Sequence, residues 1–308
     1  MARSLQHAKR LDMNNQKIKQ LVKRAGRMVQ SDALALQEAI NKQNQIVLGM
    51  QYRAAAAERR RIPFSEVGFN LYSETDEDGI LLYIFSVIGM RTRMLVDIGA
   101  AGVRGSNTAN LLTNHGFGGL LIDGNAEAMP AMREFYASQT GTKYSPPTCT
   151  AAMVTRDNIN ELISSHGVSG DIDLLCIDID GNDYWIWSAI TTVTPAVVLI
   201  EYQDILGPDR SWVIPYKPDF DFSAHPANRE HRNYVGASLR AMVKLGKQKG
   251  YRLVGTNRGG WNAFFVRDGL GEELLPEVPV EACFESAWNR FGMEQRFPLV
   301  ADLEWVTV

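Results

Sequence analysis

The sequence predicts an α/β fold: a mainly parallel, seven-stranded sheet that ends in an antiparallel hairpin, preceded by a helical extension. Three observations predict it. Five apolar runs, MLVDIGA (94–100), GLLIDGN (119–125), TCTAAMVT (148–155), DLLCIDID (173–180) and VVLIEYQ (197–203), lack the polar alternation of a half-exposed strand, as expected of a parallel sheet covered on both faces. Segments of helical length, such as NTANLLTNHG and DNINELISSHG, lie between them. Two last runs, YRLVGTN (251–257) and WNAFFVRD (261–268), are separated only by Arg258, Gly259 and Gly260, room for a hairpin turn and nothing longer.

Taken in order, the elements suggest three segments. Residues 1–62 form a basic helical extension rich in Gln, Lys, Arg, Ala and Leu, without proline and interrupted only by Gly26 and Gly49. Ile18, Leu21, Val22, Met28 and Val29 recur near helical spacing, with no sustained heptad. Pro63 and the turn-prone residues around Gly68 and Asn70 mark a boundary. Residues 63–270 form the α/β domain, opening on SETDEDGILLYIFSVIG, where Ser73 to Asp78 precede an apolar helix. Residues 271–308 form a tail packed on that domain.

The net charge of −3 conceals a division. Residues 1–61 hold 13 Lys/Arg and 4 Asp/Glu, a net of +9, and the remainder carries −12. Such an arm suits an acidic partner; packing on its own acidic body, or a homo-oligomer formed through residues 1–61, is favoured over nucleic acid or a membrane surface. Three scattered cysteines, Cys149, Cys176 and Cys283, form neither a disulfide framework nor a zinc site. The longest strongly apolar run, 80–90, has 11 residues, short of the roughly 20 that span a bilayer. The N-terminus carries charges and amides where a signal peptide needs apolar residues. A reduced, cytoplasmic compartment is expected.

Ligands of open α/β sheets bind at the carboxyl ends of the strands. There the sequence reads Asp97-Ile98-Gly99-Ala100-Ala101-Gly102, with small residues that let a ligand approach and Ser106 to Thr108 as caps for the next helix. A pyrophosphate site wants Gly-x-Gly-x-x-Gly; here an acid comes first and Ala101 stands at the second glycine. An acid suits the cationic methionine portion of S-adenosylmethionine and repels a pyrophosphate. Asp123, ending the next strand, is placed to accept hydrogen bonds from ribose hydroxyls in either cofactor. Asn125 and Asp157, after the second and third strands, are placed at the same end as cofactor-binding candidates. Parallel strands closed by a hairpin describe the Rossmann-like sheet of a class I methyltransferase better than that of a dehydrogenase.

Several blocks carry a resemblance. SETDEDGILLYIF, DIGAAGVRGSNTANLL with LLIDGN, LLCIDIDGNDYWIW, and LIEYQ followed by YVGASLRAMVKLGKQKGYRLVGTNRGGWNAFFVRD resemble the FkbM-like family of S-adenosylmethionine-dependent methyltransferases, over about residues 70 to 270. The resemblance implies O-methylation of a sugar or natural-product hydroxyl. It also implies that Asp97, Gly99 and Ala100 lie beside the cofactor, that Asp123 holds its ribose, and that Glu77, Asp78 and Gly79 border the same pocket. Thr75 and Asp76 depart from the family's usual pattern, and the arm lies outside the match.

The chemistry is expected where LLCIDIDGNDYWIW gathers Asp178, Asp180 and Asp183 at the end of a strand. Strand alternation puts Asp178 and Asp180 on one face, and the next strand ends in Glu201. Carboxylates so close raise one another's pKa unless a cation intervenes. So either one of Asp178, Asp180 and Glu201 is a general base, with Asp178 also beside the cofactor, or Mg²⁺ sits among Asp180, Asp183 and Glu201. Macrocin-type O-methyltransferases are similar here, with a metal-binding Asp in an Asp-Gly-x-x-Tyr setting that corresponds to Asp180. The Asp-x-Asp-Gly spelling also resembles haloacid-dehalogenase phosphatases, the hydrolase alternative; an NAD-dependent oxidoreductase is the other.

The insert from Gly207 to Val235 holds four prolines, His225 and His231, and loops of this kind form lids and substrate walls. Trp185 or Trp187 is placed to stack on a sugar or adenine, the other being core, and Asn262 is a pocket candidate. A small molecule or glycan is the acceptor class.

Overall fold

The computed structural model describes Lys23, residues 36–100 and residues 102–308. The helical spacing from Ile18 to Val29, and Ala101 of the glycine turn, lie outside the described residues. Residues 36–57 are helical (α1). The chain divides into two compact units, Met1–Gln51 and Tyr52–Val308. In the second, Tyr52, within the stretch expected to be the arm, meets Tyr83 edge-on at 5.4 Å.

A short helix α2 (Phe64–Val67) leads to α3 (Glu77–Ile88). Residues 77 to 86 of α3 are all buried, and a helix apolar all round belongs inside the molecule. There follow β1 (Met94–Ile98), α4 (Ala109–His115), β2 (Gly118–Asp123), α5 (Met129–Ser138), β3 (Thr148–Ala151), α6 (Ile159–Ser165), β4 (Gly170–Ile177), α7 (Asp183–Ala189) and β5 (Val193–Glu201). After the insert, which contains β6 (Trp212–Val213), come α8 (Leu239–Gln248), β7 (Tyr251–Thr256) and β8 (Asn262–Arg267).

The seven-stranded sheet runs β3-β2-β1-β4-β5-β8-β7. The first five strands are parallel; β8 pairs antiparallel to β5 and to β7. This is the mainly parallel α/β sheet with an antiparallel C-terminal hairpin that the sequence predicts. Asn257 builds the hairpin turn: its Oδ1 accepts from the backbone of Gly260, Trp261 and Asn262. Trp187 is core, 5.0 Å from Phe265 and 6.1 Å from Tyr251.

Beyond β8 the chain winds through short helical turns to α9 (Ala287–Phe291), and β9 (Val306–Thr307) pairs with β6 of the insert. The buried Arg252 guanidinium donates to the carbonyls of Arg267, Leu270 and Leu275, tying the start of this tail to the hairpin. All three cysteines are free and buried. Among the described residues, no helix is long and apolar enough to cross a membrane.

Candidate functional site

The parallel strands end together at a cavity of about 780 Å³. Its floor is the turn after β1. Gly99 has φ of 96°, and a Cβ there would lie 1.7 Å from the carbonyl oxygen of Asp178, so the close pass of β4 requires glycine at this position. The Gly99 and Ala100 N–H groups donate to the Ile122 carbonyl at 2.8 and 3.2 Å. They stitch β1 to β2 and are not turned toward a ligand. The Ser106 hydroxyl accepts from the N–H groups of Thr108 and Ala109 and so caps the start of α4.

Asp97, buried in β1, accepts from the Thr108 hydroxyl at 2.6 Å. Desolvation outweighs that bond and pushes its carboxyl up to about 6. Asp123 closes β2, one oxygen accepting from the Asn125 N–H at 2.7 Å. An apolar slot beside it is walled by Ile122, Ala152, Met153 and Val154. The seven carboxylates on the cavity wall are those of Glu74, Asp97, Asp123, Asp178, Asp180, Asp219 and Asp221, against the two guanidiniums of Arg104 and Arg232. Pro218 to Phe222 of the insert cover one side, with the Phe220 ring where a Gly181 side chain would stand.

The carboxylate cluster lies at the strand ends, but strand alternation does not build it. β4 stops at Ile177, and Asp180 sits in the loop beyond with φ of 54°, a left-handed conformation uncommon outside glycine. That bend brings Asp178, Asp180 and Glu201 together, with one carboxylate oxygen of each within 4.8 Å of the others. Arg232, from the insert, pairs with Asp180 at 2.8 Å and lies 4.9 Å over the Phe222 ring. Desolvation, then the neighbouring acids, holds Asp178 and Glu201 well above the usual carboxylate range, and Arg232 opposes the rise. Asp180 is pushed up to about 6, again by desolvation first and against Arg232.

Asp183 stands outside this trio. Its two oxygens accept from the Ile179 and Gly181 N–H groups at 2.9 Å each; it binds the loop's backbone, so the acids within mutual reach are Asp178, Asp180 and Glu201 in place of the expected Asp180, Asp183 and Glu201. Glu77 and Asp78 do not border the cavity either. Asp78 Oδ2 accepts from the N–H groups of Leu71, Tyr72 and Ser73, and Glu77 Oε1 accepts from Asn257 and Asn262 of the hairpin. Glu74 lines the cavity from that strip instead. Asn125 and Asp157 are exposed and off the wall, because the chain turns outward after β2 and β3.

Trp185 donates to the Ile214 carbonyl at 2.9 Å and anchors the insert, while Trp187 is core, so neither faces the cavity. His225 accepts from the Ala227 N–H and caps a turn. Asn262 donates its side-chain N–H to Glu77 and does not line the cavity. His231 lines a second, smaller cavity with Trp261, Trp288 and Arg296. Of the residues the sequence reading missed, Met153, Arg232, Trp288 and Arg296 come from loops and the tail and fit no motif.

No family model matches the chain, and no curated protein matches it. The FkbM-like resemblance therefore rests on its motifs alone. Solved structures show a faint likeness. An O-methyltransferase family protein from Burkholderia thailandensis is 15% identical, with 62% of this chain and 58% of that one covered and a TM-score of 0.39. A putative O-methyltransferase from Klebsiella pneumoniae is 13% identical over 72% and 90% of the two chains, TM-score 0.39. A putative sarcosine dimethylglycine methyltransferase from Galdieria sulphuraria is 17% identical over 61% and 69%, TM-score 0.38. This chain thus spans 58% of the Burkholderia protein's length, and likeness of this degree assigns no function.

Proposed function

We propose that the chain is an S-adenosylmethionine-dependent methyltransferase acting on a hydroxyl of a sugar or natural-product acceptor. One observation carries the reading: the cavity at the strand ends is walled by seven carboxylates and two guanidiniums, a field that attracts a cation and repels a pyrophosphate. The spent N–H groups of Gly99 and Ala100 point the same way, since a dinucleotide site needs them for phosphate. A phosphatase reading meets the same acidic wall. Asn182, 5% exposed on that wall, has a side-chain oxygen with no hydrogen-bond partner, as expected where a ligand completes the bonding.

The residues fit the cofactor part by part. Asp123 would hold the ribose hydroxyls, the slot of Ile122, Met153 and Val154 the adenine, and Asp97 with the Gly99 turn the cationic methionine portion. When bound, S-adenosylmethionine supplies a methyl group on a sulfonium, an electrophile needing only an in-line nucleophile. The chain's own work is to hold the acceptor and remove its hydroxyl proton. Asp178, Asp180 and Glu201 are the bases in reach of one point, and a base held above the usual carboxylate range matches neutral pH better than an ordinary acid. Arg232 keeps part of the cluster ionised by pairing with Asp180.

Calorimetric titration tests the reading: heat is expected with S-adenosylhomocysteine and none with NAD⁺, and the reverse overturns it. A second reading, Mg²⁺ held by Asp178, Asp180 and Glu201, is favoured by their mutual reach of 4.8 Å. The Arg232 countercharge favours the metal-free form, so turnover is expected to survive EDTA; loss restored by Mg²⁺ would install the metal. The basic arm we read as a self-association element of a cytoplasmic enzyme. Light scattering of the full chain against one starting at Tyr52 decides this, an unchanged mass counting against it.

A further inference from the structure

A second cavity of about 310 Å³ adjoins the first. Glu74 and Arg232 belong to both walls; Asp178 and Asp180 face the larger cavity and Glu201 the smaller. The carboxylate cluster therefore forms the partition between the two. The far wall is aromatic. Trp261 and Trp288 stand at 77° with ring centres 6.5 Å apart, and His231 meets Trp288 edge-on at 5.6 Å. From this geometry we propose that the second cavity is the acceptor subsite, and that it takes one neutral, polyhydroxylated six-membered ring, a single pyranose unit. The inference rests on the methyltransferase reading for the role of the neighbouring cavity, and it adds where the acceptor lies and what selects it.

Charge selects a neutral ligand. The wall carries the carboxylates of Glu74, Glu201 and Asp204 with the guanidiniums of Arg232 and Arg296. Arg296 pairs with Asp204 at 3.4 Å, as Arg232 does with Asp180. An ionic ligand of either sign meets a like charge close by, whereas hydroxyls find planar acceptors and forked donors side by side. Trp288 argues against an ammonium in particular. The Arg296 guanidinium already lies 4.8 Å from its ring centre and would repel a second cation brought to that ring, while the residue, 37% exposed, still offers apolar surface to the C–H face of a sugar. The volume is at the small end of ligand cavities, which run from roughly 300 Å³ upward, and admits one ring in place of a chain of them. Glu201 then meets the reacting hydroxyl from the acceptor side.

Saturation-transfer NMR on the full chain with S-adenosylhomocysteine present tests this. The probes are methyl α-D-glucopyranoside, methyl α-D-mannopyranoside and methyl α-L-rhamnopyranoside, with catechol and tetramethylammonium representing the competing classes. Saturable transfer to at least one pyranoside is expected, weakened tenfold or more by Trp288→Ala, with S-adenosylhomocysteine affinity held within twofold. Transfer to no pyranoside overturns the proposal, as does binding of catechol or tetramethylammonium alone, or pyranoside binding unchanged by Trp288→Ala. If that variant melts early, Trp261→Phe and Glu201→Gln carry the same comparison. Failure of S-adenosylhomocysteine to bind the native chain sinks the methyltransferase reading separately, because Trp288-dependent pyranoside binding is read on its own signal.

Discussion

Two groups of acids, one buried and one half-buried, are bonded in different ways. At the start of α3, Asp78 collects three backbone N–H groups and Glu77 binds two hairpin asparagines. At the ends of β4 and β5, Asp178, Asp180 and Glu201 face one another across a cavity wall, with one guanidinium among them. The first group is engaged mainly by the chain's own donors and supports the chain; the second sets three carboxylates against one guanidinium and stores repulsion. Burial alone does not mark a functional acid. A carboxyl that faces other carboxylates across a cavity is left to complete its bonding with a proton or a ligand.

The contrast is broken most readily by neutralising one member of each group. Asp180→Asn or Glu201→Gln is expected to lower kcat for methyl transfer to an accepted pyranoside by roughly 10²–10⁴, the usual worth of a general base. Glu201→Gln should melt no lower than the native chain, because it removes a like charge and leaves the Arg232–Asp180 pair intact; an early melt with full activity would merge the two groups. Asp78→Ala should do the opposite, costing about 3 kcal/mol or more through orphaned buried donors, while folded protein keeps its S-adenosylhomocysteine affinity by calorimetry.

A pH series sharpens the comparison further. Asp97 and Asp180, both pushed up to about 6 from an ordinary 3.8, hold protons in the folded state that the unfolded chain has released. Their contribution to stability is full below about 3.8 and is lost as pH rises through about 6. Tm should therefore be higher near pH 5 than near pH 7.5, and Asp97→Asn should flatten that slope; an unchanged slope would remove Asp97 from the set. The smallest effects belong to the exposed polar residues. Asp157→Asn and Asn125→Ala should change S-adenosylhomocysteine affinity less than about twofold, within the roughly 0.5 kcal/mol of ordinary surface substitutions.

The same contrast explains what could be read from the sequence. The sheet was legible because uninterrupted apolar runs, and a three-residue gap before WNAFFVRD, are local signals with few solutions. That Asp97, Asp123, Asp178 and Glu201 line the cavities was legible because they lie at or next to strand ends, and strand ends converge in this architecture. Which acids feed the backbone was not legible, since Asp78 is consumed by residues 71 to 73 through a fold of the chain that no spacing encodes. Asp180 joined the cluster as expected, though through a left-handed loop instead of strand alternation. Arg232, Trp288 and Arg296 were out of reach because an insert and a tail bring them in, and tertiary contacts such as those of β6 with β9 and of Arg296 with Asp204 fix where those segments lie.

The close pass at Gly99 has an evolutionary consequence. With a Cβ position only 1.7 Å from the Asp178 carbonyl, the turn under the larger cavity and the backbone that bears the first carboxyl of the partition are one rigid joint. On the proposed function, a lineage of such enzymes could not retune its grip on the methyl donor at this turn without also displacing its base. Diversification is thereby channelled away from the joint, into the insert and the tail, where new acceptors can be tried with the donor half left intact.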